Sequence, residues 1–169
     1  MSWMAYPNLR TDSLFDMVKV FSFLLVALTA AGAVDLPTKK TLSLSAIKTM
    51  VSAAEAEASK RNVQVSICIV DESGNLLFFE KADGASLNTI QFAQRKARHS
   101  AFYLAPSRNG AESIKKGNVE VLAYPEYFPN QGGLPIKIDG AILGGIAASG
   151  AKSEVDEAIA QAGLDALLK

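Results

Sequence analysis

The stretch from Gly132 to Gly150 restricts the chain more than any other. It reads Gly132-Gly133-Leu134-Pro135-Ile136-Lys137-Ile138, then Asp139-Gly140, then Ala141-Ile142-Leu143-Gly144-Gly145-Ile146-Ala147-Ala148-Ser149-Gly150. Asp-Gly between two apolar runs predicts a tight hairpin, because glycine accepts the positive φ that a short turn demands. Pro135 cannot donate a ladder hydrogen bond, which places it at an edge or at the start of its strand. Glycine inside a strand is costly, so Gly144 and Gly145 mark a bulge or the close approach of a backbone or ligand.

The chain before this hairpin changes character near residue 34. Met17-Val18-Lys19 precedes the apolar run Val20 to Leu28, and Ala30-Ala31-Gly32-Ala33 follows. A basic start, a short apolar centre and small residues at the exit predict a secretory signal peptide over residues 1–33, with cleavage after Ala33. Arg10, Asp12 and Asp16 make an unusual leader, and Met17 is an alternative start. The run is too short for a stable membrane span. The other reading is an apolar helix that stays on the protein or anchors it. Residues 34–41 then lead into one domain, 42–169.

Within the domain, Ser43 caps a predicted helix to about Lys60, with Leu44, Ile47, Met50, Val51, Ala54 and Ala58 on one face. Val63, Val65, Ile67 and Ile69 alternate with Gln64, Ser66 and Cys68, the period of a half-buried strand. A turn at Glu72 to Asn75 returns the chain through Leu76 to Glu80. A second helix runs from about Leu87, capped by Ser86, to Leu104, ended by Pro106. Ser107 restarts a short helix through Lys116, and Val119 to Ala123 reads as a short strand. Ser153 caps a last helix with Val155, Ile159, Ala162 and Leu167 inward. This order lacks the regular alternation of a parallel sheet. It predicts an α+β domain, an antiparallel sheet flanked by helices.

Composition narrows the chemistry. Lys plus Arg and Asp plus Glu are 17 each, so no global field attracts nucleic acid. The lone cysteine, Cys68, rules out an intrachain disulfide and reads as a small buried apolar residue. The lone histidine, His99, rules out a two-histidine metal site within one chain. Asp71, Glu72 and Glu80 flank the first turn, where a carboxylate is either a general base or ordinary turn chemistry.

Three ordered blocks resemble the GlcG/HbpS family, which includes haem-binding proteins and the C-terminal domain of PduO-type proteins. The first is Ser66 to Leu76, and the second is Asp83-Gly84-Ala85 with Lys96-Ala97-Arg98. The third runs from Gly132 to Gly150 and on through Asp156-Glu157 and Ala162-Gly163. The resemblance covers about residues 42–168 and implies a profilin-like layered domain, a homo-oligomer and a small-molecule pocket with haem as its ligand.

Haem needs an iron ligand, apolar walls and cations for its propionates. On the second helix, Phe92, Lys96, His99 and Tyr103 share a stripe, with Arg95 beside it. The expectation is His99 on iron, Arg95 and Lys96 near the propionates, and Phe92 and Tyr103 against the ring. The bland reading of His99 is part of a packed face. Tyr124, Tyr127 and Phe128 lie in a proline-broken loop and cover either a pocket or the protein's own core. The reading is a secreted or lumenal protein that binds, and on one version degrades, haem. The alternative is a cofactor-free enzyme, an isomerase or cyclase, acting on a small metabolite in the same pocket.

Overall fold

The computed structural model describes residues 34–168. The signal-peptide expectation falls on residues 1–33 and lies outside the described residues. Residues 1–38 and 39–169 are separate units, and residues 34–38 carry no regular secondary structure.

The second unit begins with helix α1, Leu44–Lys60, whose first turn is closed by Ser43 Oγ accepting the Ala46 N–H at 3.2 Å. Strands β1, Ser66–Asp71, and β2, Leu76–Lys81, follow. Helix α2, Thr89–Tyr103, and the short helix α3, Arg108–Lys115, come next. A 3-10 turn at Val119–Ala123 leads to β3, Gly133–Ile138, and β4, Ala141–Ser149, and helix α4, Ser153–Leu167, completes the order. The sheet is antiparallel in the order β2-β1-β4-β3, so the glycine-rich β4 is an inner strand.

Side-chain alternation assigns each strand residue to one of two faces. Ile69, Ile136 and Ile146 pack with Ile47, Met50 and Val51 of α1 and Ala160 of α4. Cys68, Val70 and Ala147 face Ala93, Ala97 and Ala101 of α2. The domain is therefore three layers: α1 and α4, the sheet, and α2. Burial holds the Cys68 thiol up at about 12, so it stays a neutral apolar group. Among the described residues no helix is long and apolar enough to cross a membrane.

The Asp139-Gly140 turn has φ of 51° and 80°, the conformation that the dipeptide predicts. Gly133 and Gly145 explain how α2 reaches the sheet. A Cβ on Gly133 would lie 2.4 Å from the Lys96 carbonyl oxygen, and one on Gly145 would lie 2.2 Å from that of Ala97. Only hydrogen at those two positions lets the helix backbone press on the strands.

Several expectations need correction: neither Ser86 nor Ser153 caps its helix, since Asn88 precedes α2 and Lys152 precedes α4 and no side chain caps either. Val119–Ala123 is a 3-10 helix and not a strand: only Val121 is buried, and Val119 and Leu122 stay exposed, which is not a period of two. Ser107 does not cap α3; its hydroxyl donates to the Asn130 carbonyl and accepts the Gly133 N–H. Both faces of the glycine-rich strands are covered, one by α2 and the other by α1 and α4.

Candidate functional site

Helix α2 has a small-residue stripe and an aromatic one. Ala93, Ala97 and Ala101 fix the helix to the sheet, so residues on its other sides are carried outward or toward the loop that follows the 3-10 turn. His99 meets that loop. It is 1% exposed, with the Tyr103 ring at 4.9 Å and the Tyr127 ring at 4.8 Å. Its Nδ1 accepts the Phe128 N–H at 2.9 Å. A Cβ on Gly110 would lie 3.2 Å from His99 Cε1, a tight contact, so glycine at 110 helps the start of α3 close on the ring.

These contacts decide what His99 can do. Burial pushes its pKa down to about 4, so it is neutral at physiological pH. Nδ1 spends its lone pair on Phe128, and the remaining nitrogen of a neutral imidazole carries the hydrogen. Neither nitrogen is left with a lone pair for iron. The expectation that His99 is a metal ligand does not fit this arrangement.

Lys96 is also placed differently from the expectation. It is 1% exposed and its ammonium donates to Asp156 Oδ2 at 2.8 Å, to the Ala148 carbonyl at 3.2 Å and to Ser149 Oγ at 3.4 Å. Asp156 Oδ1 in turn accepts the Ala151 N–H. A lysine with its charge matched inside the protein is no partner for a propionate. Asp156 gave no sign of this in the sequence, being one acid in the first turn of a helix.

The remaining residues do come together. The Arg95 guanidinium lies over the Phe128 ring at 4.2 Å, and Phe92 meets Phe128 at 5.6 Å. Tyr103 and Tyr127 are 5.1 Å apart and edge-on, and Tyr124 extends the series at 6.4 Å from Tyr127. The Tyr103 hydroxyl donates to the Pro125 carbonyl and the Tyr127 hydroxyl to that of Gly110. Tyr124, Tyr127 and Phe128 thus cover α2 itself. Their outer side, with Phe92 and the exposed Arg95, is an aromatic surface that carries the Arg95 guanidinium. Stacking suits a flat apolar ring and the guanidinium suits a carboxylate. Aromatic rings beside a guanidinium are the residue types that a flat ring with carboxylate side chains calls for. The arrangement does not fit iron ligation by His99.

A polar groove of about 390 Å³ lies elsewhere, between the end of α1 and β2, lined by Glu55, Asn62, Gln64, Glu80, Lys81 and Asp83 among others. Burial, with Glu55 nearby, raises Glu80 to about 7. Its lining has no aromatic wall. Of the other carboxylates of the first turn, Asp71 accepts the Ser73 and Asn75 N–H groups and Glu72 pairs with Lys39. Those two are turn and surface chemistry.

A family model described as haem degrading protein HbpS-like matches residues 42–165. The protein GlcG of Escherichia coli K12 is 30% identical over 112 residues, 66% of this chain and 84% of GlcG. A solved double mutant of HbpS from Streptomyces reticuli is 30% identical, with a TM-score of 0.73 over 81% of this chain and 94% of that one. A solved complex of PduOC with haem is 24% identical, with a TM-score of 0.70 over 75% of this chain and 95% of that one. At that identity the last likeness speaks for the fold alone.

Proposed function

This chain belongs to the HbpS-like family, and from that premise we propose that it is a small-ligand-binding protein whose ligand is haem. The observation that carries the proposal is the aromatic surface over α2, where the exposed Arg95 lies over Phe128, Phe92 meets Phe128, and Tyr124 meets Tyr127 in the same segment. A relative of the same fold, PduOC, has been solved with haem. Bound haem would supply an iron centre whose reactivity depends on its axial ligand and surroundings. The chain's own part is to stack on the macrocycle and pair with a propionate.

The test is a titration with hemin, followed by the Soret band. Saturable binding is expected, weakened about tenfold in Arg95→Ala, the cost of one charge-assisted hydrogen bond. The Soret maximum is expected to be the same in His99→Gln as in the unaltered protein. A shifted maximum would restore His99 as an iron ligand.

A second reading rests on Glu80. A carboxyl that titrates near neutrality in a groove is suited to moving protons, as a cofactor-free isomerase or cyclase requires. On that reading the protein leaves hemin free in the same titration.

Export and self-association complete the proposal. Export is supported by the leader-like pattern of residues 1–33. Self-association is supported by exposed apolar side chains, Phe102 and Leu104 at the end of α2 and Leu76 on the edge strand β2. Native mass spectrometry of the protein from its source should give a chain beginning at Val34 in a multiple of its own mass. An intact leader contradicts export, and a monomer mass contradicts association.

A further inference from the structure

The segment 124–131 is fastened to the body by side chains on two sides. Tyr103 of α2 donates to the Pro125 carbonyl at 2.6 Å, Tyr127 donates to Gly110 of α3 at 3.3 Å, and the Ser107 hydroxyl donates to the Asn130 carbonyl at 2.7 Å. None of these gains or loses a proton in mild acid. The fourth fastener differs: the Phe128 N–H donates to the imidazole of His99. An imidazolium carries hydrogen on both nitrogens and accepts nothing. Protonation therefore removes this bond, turns two N–H groups against each other and places a charge where water does not reach.

We propose that residues 124–131 form a strap whose closed state is held by neutral His99 and is released when His99 takes up a proton.

The groups around His99 leave its proton little to gain in the closed state. Tyr103 from α2 and Tyr127 from the strap pack on the ring, and α3 presents the backbone of Gly110. Among the described residues no carboxylate hydrogen-bonds the imidazole, and burial lowers its pKa. Of the charged residues close in sequence, Lys96 is matched by Asp156, Arg95 lies on Phe128, and Glu126 of the strap is exposed.

The sign follows. A histidine whose pKa falls from 6.5 to about 4 on closure favours the closed strap at pH above 6.5. That preference is lost progressively as pH drops below 6.5 and is gone by about 4, and a shift of this size corresponds to roughly 300-fold in the closing equilibrium. The strap carries Tyr124, Tyr127 and Phe128, so its release also takes apart the proposed haem surface. That consequence rests on the proposed function; the strap itself does not, and it is tested without haem.

The full chain has one histidine, so an isotope-labelled sample gives one imidazole to follow by NMR. His99 should titrate near pH 4. As pH drops from about 6.5 to about 4, the protection of the Phe128 amide against hydrogen exchange, corrected for the intrinsic rate, should fall about a hundredfold or more and then level off. The sheet amides of Ile69 and Ile146 should stay protected. His99→Gln keeps an acceptor that does not titrate, and should hold Phe128 protected at low pH. Tyr127→Phe, which removes the strap's bond to Gly110 and keeps a ring on His99, should lower that protection by the same factor at pH 7 and pH 5. A His99 pKa near 6.5, a Phe128 amide insensitive to pH, or loss of protection in step with Ile69 and Ile146 would each overturn the proposal.

Discussion

Asp156→Ala should lower the unfolding free energy of the domain by about 3–5 kcal/mol, the cost of leaving one partner of a buried ion pair alone. Lys96 and Asp156 are 1% and 2% exposed and 2.8 Å apart. Burial pulls the Lys96 pKa down and pushes that of Asp156 up, in each case as a larger effect than the partner's opposing charge. The pair is thus a clamp with a large desolvation cost, tolerated because each charge has several partners. The ammonium reaches the β4 carbonyl of Ala148 and the carboxylate reaches the Ala151 N–H, which ties α2 to the passage from β4 into α4. Removing only the carboxylate strands an ammonium in the interior. Lys96→Met combined with Asp156→Ala should recover most of the loss, since no unpaired charge is left. Urea unfolding of the unaltered protein and these two variants measures both effects. A single substitution costing under about 1 kcal/mol would contradict the clamp.

Gly145→Ala should be comparably damaging for a different reason. Its Cβ would sit 2.2 Å from the carbonyl oxygen of Ala97, which belongs to a helix backbone and cannot swing aside as a side chain can. The helix must lift from the sheet, and the small-residue contacts of Ala93, Ala97 and Ala101 with Cys68, Val70 and Ala147 loosen with it. A loss of about 3 kcal/mol is expected for overpacking of this severity. In a domain of this size that corresponds to a drop in Tm of roughly 10 °C. A thermal scan showing no drop would mean that α2 does not lie as close to β4 as described.

These two sites show where the sequence was informative and where it was not. Asp139-Gly140, the alternation of Ile67, Cys68 and Ile69, and the alanine stripe of α2 are local patterns, and local patterns carry the fold. Gly145 announced a close approach without saying what approaches. Lys96 and Asp156 are 60 residues apart, and nothing in their spacing pairs them. His99 was legible as a notable residue, but its partner is a main-chain N–H 29 residues away, a group every residue has. Helical periodicity therefore put Lys96 and His99 on one outward stripe, when packing turned the first toward β4 and α4 and covered the second with the strap. The tyrosine-rich loop was readable as a cover, and what it covers was a matter of tertiary structure. Glu80 could be noticed beside its turn, but the neighbour that helps raise its pKa, Glu55, comes from α1.

The hemin titration bears most directly on the central claim, that this HbpS-like domain binds haem on the aromatic surface over α2 and not through His99. The account predicts a saturable Soret change, a binding constant about tenfold weaker in Arg95→Ala, and an unshifted Soret maximum in His99→Gln. Hemin that shows no saturable change with the unaltered protein would contradict the account.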